Sequence, residues 1–304
     1  MTVRRVSLTV SCRMRRHSNI ARKYIAMGAV ILALWLVDLK GQEMFLRGQN
    51  IAPVFEGWEQ NSDGTFDMVF GYFNRNWDEE LDLPIGPHNK LGPGGPDYGQ
   101  PTHFLPNRNK FVFRVRVPSD FGNKELVWTI TAHGKTESAY ATLKPDYVIN
   151  TAIIMRGYAG FFGTNPPELK NRAPSVKVEG DTQRTVRVGE PLTLVAFAHD
   201  EDGMPKPSPA PSRVGRVSAL GLRVSWFVYR GAGTVTFVPE QFKVYQDTRS
   251  NSPWAPGWSP PPLPADGKFP VTVTFGAPGT FVLRVMAHDG ALASTEDVSV
   301  TVVP

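Results

Sequence analysis

Beyond residue 53 the chain alternates apolar and polar positions with a period of two, broken at short intervals by turn residues. That is the pattern of extended strands with one face buried. Residues 54–59 and 65–74 flank Asn61-Ser62-Asp63-Gly64, whose Asp-Gly pair suits the positive φ angles of a hairpin turn. Over 110–117, Phe111, Phe113, Val115 and Val117 share one face while Arg114 and Arg116 take the other. Residues 125–132 and 136–143 read as a second hairpin about His133-Gly134, and 147–155 as a last strand of this part. Between them, 82–109 is rich in loop signals, with Gly92-Pro93-Gly94-Gly95-Pro96 excluding a helix or a central strand. No stretch of ten or more residues beyond the leader carries persuasive 3.6-residue periodicity with caps.

The second half is more regular. Residues 186–200 place Leu192, Leu194, Ala196 and Ala198 on one face, and 222–229 align Leu222, Val224, Trp226 and Val228. Val271, Val273 and Phe275 follow, then Phe281, Leu283, Val285 and Ala287, and last Val298, Val300 and Val302. With weaker segments at 175–179 and 234–238, the spacing predicts about seven strands, the count of a Greek-key sandwich. Residues 157–174, with Gly, Asn and a Pro pair, read as a linker. The organisation expected is therefore a leader over 1–41, a β-sandwich over 53–156, the linker 157–174 and a second sandwich over 175–304.

Composition changes this picture mainly at the N-terminus. The formal charge of +5 is uneven: residues 1–40 hold eight Lys/Arg against one acid, and the remaining 264 residues carry a net −2. The part read as strands thus has no electrostatic footprint for nucleic acid. Seven cations precede an apolar run over 24–37, fourteen residues long. That matches a signal-peptide core of about 7–15 residues better than a membrane span of roughly 20. No small-x-small cleavage site follows it, so the run reads either as a cleaved signal or as a retained anchor placing 24–37 in the membrane. Both readings put the rest of the chain outside the cytoplasm. Cys12 is the single cysteine and lies in the leader, so the strands hold neither disulfide nor thiolate metal site.

Particular residues then point to a family. Asn171-Arg172-Ala173-Pro174, Val188-Gly189-Glu190, Leu192-Thr193-Leu194, His199-Asp200-Glu201-Asp202-Gly203, Trp226, the run from Pro278-Gly279-Thr280-Phe281 to Val285, and His288-Asp289-Gly290 resemble a bacterial PKD-type, immunoglobulin-like domain over about 171–304. The resemblance implies an extracytoplasmic seven-stranded sandwich serving as spacer or binding module. Arg230-Gly231-Ala232-Gly233 stands where the family has Gly-Asp-Gly, and Phe281 replaces its usual tyrosine. Insertions at 204–216 and 250–267 are larger than the family's. Residues 53–156 resemble no family, and a second sandwich of the same kind is the economical reading. The fold class expected is all-β: two tandem Greek-key, immunoglobulin-like sandwiches after an N-terminal hydrophobic helix.

Two constellations carry candidate chemistry. Asp200 and Asp202 end one strand, Asp289 ends another, and Asn171 lies in the linker; converging at one sandwich end, their oxygens are a candidate calcium site. Asp-Gly turns account for the same residues without a metal. Trp254 and Trp258 lie on a proline-stiffened insertion, a candidate surface for a protein or glycan partner; the alternative is that both fold back over the sandwich. Catalytic signatures are missing: there is no His-Glu-x-x-His, no Gly-x-Ser-x-Gly, and the glycines of 92–99 fit neither phosphate-binding fingerprint. The reading is a non-enzymatic exported binding or scaffolding protein of the cell envelope, as an extrinsic subunit of a membrane complex or an adhesion module. The competing reading is a secreted carbohydrate-active or metal-dependent hydrolase with its site in 53–156, for which Asp78, Glu79, Glu80 and Asp82 would supply carboxylates.

Overall fold

The computed structural model describes residues 45–159, 170–201, 206–211 and 217–304; the leader, Asp202 and most of the 204–216 insertion lie outside them. Sixteen strands form among the described residues, with one α-helix and one 3-10 turn. Alternation became burial as expected. In β7 (Leu126–Ala132) buried and half-buried residues alternate without a break, and β15 (Gly279–His288) buries Phe281, Leu283, Val285 and Ala287.

The N-terminal half contains β1 (Ile51–Gln60), β2 (Phe66–Asn74) and β6 (Asn107–Val117) in one antiparallel sheet. A second sheet orders β4 (Asn89–Gly92), β7 and β8 (Lys135–Ala141), and β3 (Leu81–Asp82) pairs with β5 (His103–Phe104). The loop-rich tract supplies only short strands, and β4 lies at a sheet edge, where Pro93 removes no ladder bond. Trp128 centres this core. Its ring meets Phe113 edge-on at 4.9 Å and Phe70 at 6.0 Å, and its Nε1–H donates to Asn89 Oδ1 at 3.0 Å. Burying the indole therefore leaves no unpaired donor. The turn at His133-Gly134 has φ of 50° and 74°, the left-handed pair that a two-residue hairpin requires.

One residue departs from its expected face. At β2–β6 the register passes from Phe70↔Phe113 to Tyr72↔Asn109, so 110–112 bulge opposite Gly71. Phe111, at φ 52°, leaves the face of Phe113 and packs on Tyr158 at 5.2 Å. The bulge depends on Gly71, where an added Cβ would lie 2.5 Å from the Asn109 carbonyl oxygen.

The strand expected over 147–155 is a correction. A 3-10 turn (Pro145–Tyr147) leads instead to α1 (Thr151–Ala159). Asn150 starts the helix: its Oδ1 accepts the Ile153 N–H at 3.0 Å and its carbonyl that of Ile154, which is N-cap geometry. Ile154, Met155 and Tyr158 then bury one face against Ala291 and Leu292.

Among the described residues the C-terminal half has eight strands where about seven were expected. The segment expected over 186–200 divides into β10 (Gln183–Arg187) and β11 (Leu192–His199). Gly189, at φ +78°, turns the chain between them. β10 then pairs in parallel with β16 (Ala293–Val303), while β11 pairs with β9 (Ser175–Val178) and β14 (Lys268–Phe275). One sheet runs β10-β16-β15-β12 and the other β13-β14-β11-β9, with β12 spanning Arg223–Arg230 and β13 Val235–Val238. This is the ABED/CFG strand order of an immunoglobulin-like sandwich, with β10 added in parallel beside β16. Trp226 is 2% exposed in the shared core, and Phe281 packs on Phe275 at 4.9 Å where a tyrosine corner would lie.

Phe45–Pro304 form one compact unit. Backbone and side chains of 97–102 bond to Tyr229, Arg230 and Gly231 at the end of β12, joining the two halves directly.

Candidate functional site

A cleft of about 890 Å³ lies between the halves. Strand alternation builds its floor. Val282, Arg284 and Met286 of β15 and Ala293, Thr295, Asp297 and Ser299 of β16 line it, all on the sheet face opposite the core residues Leu283, Val285 and Val298. The opposing wall is the β6 bulge, Phe111 to Arg114, with Ile154 and Tyr158 of α1 at one end and Asn171 beside them.

Arg284 is fixed from three sides. Its Nε and Nη2 donate to Asp297 at 2.6 and 2.8 Å, its Nη1 to the Val112 carbonyl at 2.8 Å, and the guanidinium lies 3.5 Å over the Tyr229 ring. Burial acts to lower its pKa, but Asp297 and Tyr229 together outweigh burial and hold it above the ordinary value. Burial also pushes Tyr229 up to about 12, so its hydroxyl stays protonated and donates to the Gly99 carbonyl at 2.5 Å.

Two of the candidate calcium ligands meet. Asn171 Nδ2 donates to Asp289 Oδ2 at 2.9 Å, while Asp289 Oδ1 accepts the N–H groups of Ala291 and Leu292 at 2.6 and 2.7 Å. Asp289 is fully buried, and burial raises its pKa against the lowering effect of these bonds. Asp200 follows β11, and Asp202 lies outside the described residues. Among the described residues no group of three or more His, Cys, Asp or Glu is placed to hold a metal ion. Of the two tryptophans, Trp254 is 6% exposed, and Trp258 packs edge-on against Phe242 at 5.3 Å with Arg223 over its ring at 6.0 Å.

The acidic run of the N-terminal half is dispersed into separate pairings. Asp78 accepts from Arg249 at 2.5 Å, Glu79 from the Gly48 N–H at 2.7 Å, and Asp82 and Glu80 hold the two nitrogens of His103 at 2.7 and 3.1 Å. The clamp on His103 is a feature that linear reading missed, because its partners lie about twenty residues upstream. Burial lowers the pKa of His103, but the two carboxylates overcome it and raise the ring to about 9. His288 is the opposite case. Burial first, and the Arg223 charge second, hold it well below 6.5; its Nδ1 accepts the Gly290 N–H at 2.7 Å and its ring meets Tyr158 edge-on at 4.6 Å.

No family model matches the chain, the PKD type included, and no curated protein matches it. Solved structures similar to it include domains 4 and 5 of the S-layer protein SbsC, at 13% identity and TM-score 0.22, covering 60% of this chain and 66% of that one. The D00-D0 domain of intimin aligns at 12% identity and TM-score 0.23, covering 83% of this chain and all of that one. A chimeric titin Z1Z2 aligns at 12% identity and TM-score 0.22, covering 84% and 99%. The immunoglobulin-like assignment of the C-terminal half rests on its strand order.

Proposed function

We propose that the protein is a non-enzymatic exported binding or scaffolding protein of the cell envelope, built as two tandem immunoglobulin-like sandwiches and delivered by its N-terminal leader. The observation that supports this reading most directly is the joint between the halves. Asp97, Gly99, Gln100 and Thr102 on one side and Tyr229, Arg230 and Gly231 on the other exchange hydrogen bonds of 2.5–3.2 Å. A joint fixed at so many points holds both halves as one body, which suits a part that presents a surface or spans a distance. The cleft beside it gathers arginine–carboxylate pairs and half-buried apolar residues, a lining suited to recognition. The leader's charge and hydrophobic run support export, with the anchor at 24–37 and a periplasmic or surface location as its finer forms.

The test is fractionation followed by affinity purification of the full chain from membranes. Protease accessibility in spheroplasts and a stoichiometric co-eluting envelope component are expected. Recovery of the protein in the cytosol would overturn the reading.

A further inference from the structure

We propose that the cleft between the β6 bulge and the outer face of β15 and β16 binds a neutral, hydroxyl-rich oligosaccharide; this deepens the binding role above, rests on it, and names its ligand class. Charge pairing is the first argument. Each arginine lining the cleft has a carboxylate beside it: Arg114 with Glu59 at 3.2 Å, Arg172 with Glu201 at 3.8 Å, Arg230 with Asp97 at 2.7 Å and Arg284 with Asp297 at 2.6 Å. Each arginine thus has its own counter-charge, with Glu59 and Asp297 in the lining itself and Asp97 and Glu201 outside it, which leaves little surplus charge for a polyanion or a polycation.

Its donors and acceptors are the second argument. Thr295, Asp297 and Ser299 occupy alternate positions of β16 along the floor, about 7 Å apart in an extended strand. Asn171, 5% exposed, commits its Nδ2 to Asp289, and its Oδ1 has no hydrogen-bond partner. A buried acceptor left in this state favours a ligand that brings a donor. Hydroxyl groups donate and accept at once, which matches a wall of hydroxyls, a carboxylate and an amide oxygen. Half-buried Val282 and Met286 alternate with Arg284 on β15, giving an apolar strip for the C–H face of a sugar ring.

The sheet order argues against a peptide. β15 and β16 are both flanked by bonded neighbours in β10-β16-β15-β12, so the floor has no free main-chain edge to which a strand could add. Recognition there falls to side chains.

The experiment titrates the full chain with cellohexaose, maltohexaose and chitohexaose by calorimetry, each to about 5 mM, concentrated enough to reveal millimolar affinity. Binding of at least one is expected. Thr295→Trp, on the exposed floor of the cleft, should weaken it at least about tenfold, roughly 1.4 kcal/mol, with an unchanged melting temperature, and Thr295→Val should weaken it less. No heat with any of the three, or binding insensitive to Thr295→Trp, would overturn the proposal. If instead a membrane protein co-purifies and cross-links to β16 while all three sugars fail, the ligand class falls and the binding role stands.

Discussion

Arg230 grips Asp97 with both arms of its guanidinium, Nη1 to Oδ2 at 3.0 Å and Nη2 to Oδ1 at 2.7 Å, across 133 residues of sequence. The same side chain sends Nε to the Gln100 carbonyl at 2.8 Å, so one arginine at the end of β12 ties down the loop leading to β5. Its hydrogen bonds first, with the Gly99 N–H and its charge adding to them, hold the Asp97 carboxyl below the usual carboxylate range against burial. Lysine keeps the charge but not the fork. Arg230→Lys should therefore speed backbone hydrogen exchange over 97–102 and leave exchange in the two cores unchanged. Because Asp97 is 48% exposed, the loss in global stability should stay within about 1 kcal/mol. Unaltered exchange in that loop would show that the fork does not hold the joint.

Trp226 is 2% exposed and its indole N–H has no partner, so its contribution is apolar packing alone. Trp226→Ala should cost about 3–5 kcal/mol. Trp226→Phe should cost clearly less, since it keeps most of the ring and removes an unsatisfied donor. Trp128 gives the contrast: with its N–H bonded to Asn89, Trp128→Phe strands a buried acceptor and should cost more than Trp226→Phe. Urea unfolding of the three variants would check the ranking, and equal losses at the two phenylalanine substitutions would contradict it.

Two buried histidines set the pH range of stability from opposite sides. His103 has a folded pKa of about 9 against 6.5 for the free side chain. The stability it contributes is complete below about 6.5 and is lost as pH rises through 9, on the order of 3 kcal/mol in all. The charged groups on the ring are Asp82 and Glu80. His288, held well below 6.5 with Arg223 as its charged neighbour, binds protons more readily when unfolded, so its share is complete above 6.5 and falls with acidification below it. Melting temperature should thus peak near pH 6–7. His103→Gln should flatten the alkaline limb and His288→Gln the acid one; limbs that persist in both variants would assign the effect elsewhere.

How much of this could be read from the sequence follows from the range of each interaction. Alternation is local, so the strands of both cores were visible, Trp226 and its neighbours among them. The break between β10 and β11 had a local sign as well, Gly189 with φ +78°, but the apolar period ran across it and concealed a change of sheet. Helix α1 escaped for a similar reason: nine residues are too few for periodicity to exceed noise, and its marker was the single cap Asn150. The cleft was not legible at all. Phe111 shares an alternation face with Phe113, and only the bulge opposite Gly71 sends it towards Tyr158. Nor does spacing reveal that Asp97 meets Arg230, or that Asp82 and Glu80 close on His103.

The bulge makes Gly71 a sensitive position. A methyl group there would press on the Asn109 carbonyl oxygen, 2.5 Å away, and on the Glu56 carboxylate. That carboxylate takes both Nη2 contacts of Arg108, at 2.7 and 2.8 Å, with Glu56 only 10% exposed. Backbone and a half-buried, bidentate ion pair both resist displacement, so Gly71→Ala should destabilise by about 1–3 kcal/mol. A melting temperature within about 1 °C of the parent would mean that β2 and β6 stand further apart than described.

Calcium tests the remaining sequence-derived constellation. Asp289 has both oxygens engaged, Oδ1 by two backbone N–H groups and Oδ2 by Asn171. A cation taking six to eight oxygens at about 2.3–2.6 Å would have to displace those donors. Asp289→Ala should lower stability by about 1–3 kcal/mol, the loss of a buried acceptor serving three donors, and by the same amount with or without 5 mM calcium, about the level of weak extracellular sites. Equality of the two losses is the diagnostic. If calcium raised the melting temperature of the parent and Asp289→Ala erased that rise, Asp289 would be a ligand and the hydrogen bonds around it a resting arrangement.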